Sequence, residues 1–190
     1  FGIDTQITAE ELDKTDSNSL AQALYTEAKT AYLRKCDGLK KDALPVFQNI
    51  RNTQGSHIEN VFVPFSDGKR GLQVLTPMQK TIDTKGLELV NALERTATLA
   101  FIDEGWKEHL RAMDDLRTSV QNATYEQKDP LVIYKVEAYT LFEQLNSEIN
   151  KNIVSFLAHT GLPVEENNSG QIREGRQQKT DMSKLRQKKD

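Results

Sequence analysis

The sequence predicts a mainly α fold: an elongated antiparallel helical hairpin joined to a second helical region that carries a small β-hairpin. Three observations predict it. Two stretches, near 99–120 and 131–156, repeat apolar residues at steps of three and four. A short polar loop joins them. Between residues 57 and 75 the apolar period drops to two around Asp67-Gly68.

Taken in order, residues 1–16 are polar, and Thr8-Ala9-Glu10-Glu11 has the Thr-x-x-Glu form of a capping box, which starts a short helix. From Ser17 to about Arg51 the pattern is helical, with Leu20, Leu24, Ala28, Ala31, Tyr32 and Leu33 on one side. Gly38 marks a break, and Pro45 a kink or the first turn of a following helix. Val61, Val63 and Phe65 then alternate with other residues, Ser66-Asp67-Gly68-Lys69 turns, and Leu72 and Val74 alternate again. Two strands alone are marginal in water, so this hairpin must lean on a helix.

Thr76-Pro77 reads as an N-cap followed by a first-turn proline. The helix it starts runs to about Val120, with Gly86 a weak point. Leu99, Ile102, Trp106, Leu110, Met113, Leu116 and Val120 form an apolar seam of coiled-coil type, which makes Trp106 a core residue. Asp103 and Lys107 make a surface pair at four-residue spacing. Asp129-Pro130 starts the partner helix, whose seam is Leu131, Tyr134, Ala138, Phe142, Leu145, Ile149, Ile153 and Phe156. The two seams pack antiparallel. Gly161-Leu162-Pro163 stops this helix, and the polar stretch after Glu165 is too poor in apolar residues to order itself.

Composition bounds the function. Of 190 residues 37% are hydrophobic and 28% charged, a balance that suits an elongated helical protein with much exposed surface. The net charge of −3 is uneven: residues 171–190 hold seven Lys/Arg against three Asp/Glu, leaving the rest about seven units negative. With Cys36 the single cysteine, no intrachain disulfide forms and a reducing compartment is favoured. No apolar run is long enough to span a membrane. The chain begins Phe1-Gly2-Ile3, without an initiator Met, and reads as part of a longer protein.

Chemistry-bearing motifs are few. There is no phosphate-binding Gly-x-x-x-x-Gly-Lys loop, so the chain alone has no nucleotide site and no catalytic residues. His57, His109 and His159 are scattered, and Glu108-His109 lacks the second histidine of a helical zinc motif, so no metal site is expected. Asp114 and Asp115 are adjacent, project about 100° apart on a helix, and form no working carboxylate pair. The basic tail lacks interleaved aromatics and reads as a solvated linker, with no nucleic-acid partner. Tyr125 sits outside both seams, among Asn122, Thr124, Glu126, Gln127 and Lys128. Periodicity alone leaves an inert turn tyrosine and a functional loop tip equally open.

Trp106-Lys107-Glu108-His109-Leu110-Arg111-Ala112-Met113-Asp114-Asp115-Leu116-Arg117, then Tyr125-Glu126-Gln127-Lys128-Asp129-Pro130, then Tyr134-Lys135-Val136-Glu137 resemble a long, ordered pattern of the SecA family. The match is strong over about 98–145. Residues 17–90 are loosely similar to the family's helical wing, 57–75 looks like an insertion in it, and Thr180-Asp181-Met182-Ser183-Lys184 is similar to its C-terminal linker.

The resemblance implies a helical wing over 1–76, a helical scaffold with a two-helix finger over 77–162 (loop 121–129), and a flexible linker over 163–190. It implies an ATP-driven motor that pushes unfolded preproteins through the SecY channel, peripheral on the cytoplasmic side of the bacterial inner membrane. ATP and Mg would belong to motor domains outside this stretch, leaving no cofactor here. Tyr125, with Thr124, Glu126, Gln127 and Lys128, would be the finger tip contacting preprotein and channel, while the scaffold touches the motor domains. The sequence departs from the family where Asn122-Ala123-Thr124 replaces Leu-Arg-Gly and where Ile133 and Val136 replace polar residues. The alternative is a purely structural helical-hairpin module that holds partners together.

Overall fold

A computed structural model describes residues 16–54, 58–122, 129–162 and 173–174. Among these, four helices and three strands follow one another: α1 (Ser17–Gln54), β1 (Asn60–Ser66), β2 (Gly71–Pro77), α2 (Met78–Asp83), α3 (Leu87–Asn122), α4 (Pro130–His159) and β3 (Arg173–Glu174). The predicted class, mainly α with one small β-hairpin, is the observed one. The capping box at Thr8, His57 and Pro163 lie outside the described residues, as does the tail after Glu165 apart from Arg173 and Glu174.

α1 is one helix of 38 residues, with Gly38 and Pro45 inside it. The predicted break at Gly38 does not occur. Its neighbours Leu39, Ala43 and Phe47 recur on one face and are buried in the core, and that packing outweighs the ~1 kcal/mol a helical glycine costs.

β1 and β2 pair antiparallel in full register from Asn60↔Pro77 to Ser66↔Gly71. The turn is tied by Asp67, whose carboxylate accepts from the backbone N–H of Lys69 (2.8 Å) and Arg70 (2.6 Å). These bonds hold the Asp67 carboxyl below its ordinary pKa. Gly68 supplies the positive φ of 86° that the turn needs. Val61, Val63 and Phe65 point inward with Val74 and Thr76, the alternation the sequence predicts.

Thr76-Pro77 does not cap a long helix. Both residues end β2, the Thr76 hydroxyl instead shares a 2.7 Å hydrogen bond with Thr81, and α2 has no side-chain cap. α2 then stops after six residues. Gly86 N–H donates to Thr81 O (2.8 Å) and Lys85 N–H to Ile82 O (3.0 Å), the six-to-one and five-to-two pair of a Schellman motif. Lys85 (φ 52°) and Gly86 (φ 87°) both take positive φ. A Cβ on Gly86 would stand 3.1 Å from Lys40, so glycine serves both the backbone and the close approach of α1.

The core joins Leu39, Ala43 and Phe47 of α1 to the inner face of the hairpin, to Leu89, Leu93, Ala97 and Phe101 of α3, and to Phe156 of α4. It therefore sits at one end of the α3–α4 pair. The rest of that pair runs beyond the core as a two-helix projection.

Candidate functional site

The projection is the candidate site, and its root is heavily braced. Phe101 and Phe156 meet edge to face with centroids 5.6 Å apart. Arg70, at the end of the β-turn, lies 5.2 Å over the Phe101 ring and pairs with Glu104 at 3.0 Å. From the other side Lys35 of α1 donates to the carbonyls of Ala158 (2.7 Å) and Leu157 (3.2 Å), which the end of α4 leaves without helical partners. Burial lowers the Lys35 pKa. Tyr32 donates to Glu94 (2.9 Å), and burial, then this bond, raises its pKa. Burial likewise raises that of Cys36. Tyr32 fastens α1 to α3, and Lys35 fastens it to the end of α4.

Beyond the root, α3 and α4 approach closely at one point. A Cβ on Gly105 would lie 2.9 Å from Ile149 and 3.2 Å from Leu145, so the helices touch across a residue with no side chain. This corrects the predicted seam. The face of α3 turned to α4 runs through Phe101, Gly105, Leu116 and Val120. Leu99 (61% exposed), Ile102 (42%), Trp106 (46%) and Leu110 (50%) form a stripe on its flank. Trp106 is thus not core. Its ring stands 5.4 Å from that of His109, which in turn meets Phe142 of α4 edge-on at 6.1 Å. His109 is the half-buried residue of this aromatic row, and its Nδ1 is buried without a partner. On α4, Leu145, Ile149, Ile153 and Phe156 face inward as predicted, while Leu131 and Phe142 of the predicted seam are exposed.

At the far end α4 begins as the sequence predicts. Asp129 is the N-cap, its carboxylate accepts from Leu131 N–H at 2.9 Å, and Pro130 occupies the first turn. An open cleft of about 440 Å³ lies beside this start, lined by Arg117, Val120, Pro130, Leu131 and Tyr134. The five predicted tip residues, Thr124, Tyr125, Glu126, Gln127 and Lys128, lie outside the described residues, between Asn122 and Asp129. The Asp103–Lys107 pair forms at 2.6 Å, and Asp114 and Asp115 are exposed on the helix surface. Among the described residues no group of three or more His, Cys, Asp or Glu is disposed to hold a metal, and no helix is long and apolar enough to cross a membrane.

Sequence reasoning missed Gly105, Lys35 and Arg70. Gly105 alone left a signal, since a glycine within a 36-residue helix asks for a packing reason. Lys35 and Arg70 find partners far along the chain and left none.

Braced helices with a projecting antiparallel pair define a wing-and-scaffold unit, and the family model described as the SecA Wing and Scaffold domain matches residues 3–161. The chain is 40% identical over its whole length to the Protein translocase subunit SecA of Cytophaga hutchinsonii, of which it covers 17%. It is 38% identical, again over its whole length, to that of Porphyromonas gingivalis, and 36% identical over 98% of its length to that of Bacteroides thetaiotaomicron, covering 18% of each. No solved structure matches it. The chain belongs to the SecA family. It spans less than a fifth of the length of these relatives.

Proposed function

We propose that this chain is the wing and scaffold of an ATP-driven protein translocase, and that α3 and α4 are its two-helix finger. In this reading the finger carries Thr124, Tyr125, Glu126, Gln127 and Lys128 to the cytoplasmic mouth of the SecY channel, where Tyr125 contacts the moving, unfolded preprotein. ATP and Mg belong to the motor domains of the longer protein, which the root of the finger touches. The assembly works as a peripheral protein on the cytoplasmic face of the bacterial inner membrane. The supporting observation is a projection braced at one end and crossed closely at Gly105, whose two helices extend away from the core to Asn122 and from Pro130. A rigid hairpin can deliver a small loop into a pore, and an aromatic tip grips varied side chains through apolar contact.

The test is preprotein transport into membrane vesicles by the full-length Tyr125→Ala protein, with its ATPase assayed in parallel. The expected result is reduced transport with basal ATPase retained, and better retention by Tyr125→Phe. Unchanged transport would overturn the role of Tyr125 and favour a hairpin that only holds partners together.

A further inference from the structure

After α4 the chain meets the outer edge of β1 twice. Gly161, one residue beyond the helix C-cap, exchanges both backbone hydrogen bonds with Ser66, at 3.2 and 3.0 Å. β3 then pairs antiparallel with the other end of the same edge, Arg173 across from Phe62 and Glu174 across from Val61. The two contacts do not share one register. In an unbroken antiparallel ladder begun at Ser66↔Gly161, the partner of Phe62 would be Glu165; it is Arg173, eight residues further on. The fold therefore takes hold of the C-terminal run a second time, after the contact that ends α4 has been made. In an antiparallel ladder the backbone groups of successive residues point to alternate sides. Glu59 and Asp67 bond toward Met78 and Arg70, on the β2 side, so Val61, Val63 and Phe65 do the same. Phe62 thus turns its N–H and C=O outward to Arg173.

We infer that Arg173–Glu174 is a strap: it fastens the C-terminal run to the β1–β2 hairpin, so that the chain beyond Glu174 departs beside Val61, at the α2 end of the hairpin, and not from the end of α4. The fastening runs through main-chain hydrogen bonds to a strand whose Val61, Val63 and Phe65 are buried in the core, so the core fixes where the strap sits. It is also the weakest pairing in the sheet. β1 and β2 pair over seven residues, β1 and β3 over two. So short a pairing opens by itself while the hairpin stays closed. Opening moves the point of departure back to Leu162 and adds the twelve residues 163–174 to the run beyond it, about 40 Å when fully extended. The strap gives the stretch after α4 two reaches, short when fastened and long when released.

Residue-resolved amide exchange, read by mass spectrometry on the full-length protein, tests this. The Phe62 amide should be protected, yet exchange on the order of tenfold faster than those of Val61 and Val63, because it opens with the strap and they open with the hairpin. Arg173→Pro removes the strap's backbone donor, and a stop after Gln171 removes the strap itself. Either change should speed Phe62 by on the order of a further tenfold, while Val61 and Val63 stay as they were and report an intact hairpin. A stop after Gly175 should leave all three amides unchanged. A photo-crosslinker at position 176 should mark the start of α2, and that product should be lost in Arg173→Pro. A Phe62 amide unprotected in the unsubstituted protein, or unmoved by both the proline and the stop after Gln171, would overturn the strap, as would a crosslink indifferent to Arg173→Pro. A Phe62 amide no faster than Val61 and Val63 would overturn the two reaches, since β3 would then open only with the hairpin.

Discussion

Gly105 of α3 lies against Ile149 of α4 so closely that a methyl group at 105 would stand 2.9 Å from the Ile149 side chain. The helix–helix contact is set by a missing side chain rather than by interlocked large ones. Gly105→Val should cost about 1–3 kcal/mol in denaturant melts, since a branched side chain must push Ile149 and Leu145 aside. The cost should shrink in an Ile149→Ala background. Equal costs in both backgrounds would place the strain elsewhere.

Trp106 and Phe156 should behave differently although both stand at helical apolar positions. Phe156 is 1% exposed, at the meeting of α4, the hairpin and α3. Phe156→Ala should cost about 3–5 kcal/mol. Trp106 is half exposed and keeps only flank contacts, so Trp106→Ala should cost about 1 kcal/mol or less. Comparable losses of stability in the two variants would contradict the flank position of Trp106.

Lys85 holds a left-handed conformation that a side chain resists, at the residue where a Schellman motif normally has glycine. Lys85→Gly should raise stability by up to about 1 kcal/mol, read as a shift of the thermal midpoint. A loss of stability would mean that the lysine side chain makes a compensating contact.

Glu88 is buried at the start of α3 and accepts from Lys80 (2.9 Å) and Arg95 (3.4 Å). The Lys80 bond chiefly, with help from Arg95, lowers its pKa below the ordinary 4.5, against the opposing effect of desolvation. The unfolded chain therefore takes up this proton first. The stability from the pairs is complete above pH 4.5 and is lost as pH falls through the lowered value. Because both cations are largely exposed, Glu88→Gln should cost only about 1 kcal/mol at neutral pH. Its stability should also fall less steeply than that of the unsubstituted chain on acidification from about pH 5 to pH 3. Parallel curves would remove Glu88 from the acid response.

What the sequence made legible was mostly local chemistry. Asp129-Pro130 caps and starts α4 because both signals act within one turn, and Ser66-Asp67-Gly68 turns the chain through its own side chain and a positive φ. The hairpin alternation also held, since strand faces are fixed by a period of two. The seam of α3 was not legible. Leu99, Ile102, Trp106 and Leu110 repeat as regularly as the true contact face, and that face includes a glycine, which carries no apolar signal. Gly38 misled in the opposite direction, because a helix packed along Leu39, Ala43 and Phe47 passes through it unbroken. The pairing of Arg173–Glu174 with Phe62 and Val61 joins residues more than a hundred positions apart, and no spacing rule reports it. The five tip residues rest on family resemblance, with their positions outside the described structure.

The clamp of Arg70, Lys35 and Phe156 at one end of the helical pair has a mechanical consequence. From Phe101 to Asn122 α3 extends about 30 Å at 1.5 Å per residue. Fixed at the root and stiffened by a close crossing just beyond it, the pair is a cantilever. A tilt of about 10° imposed where α1 and the β-turn grip it would sweep the far end through about 5 Å, more than the rise of three helical residues. Small adjustments between α1 and the root are thus geared up along the projection, and the residues that set the gearing lie far from the residues it would move.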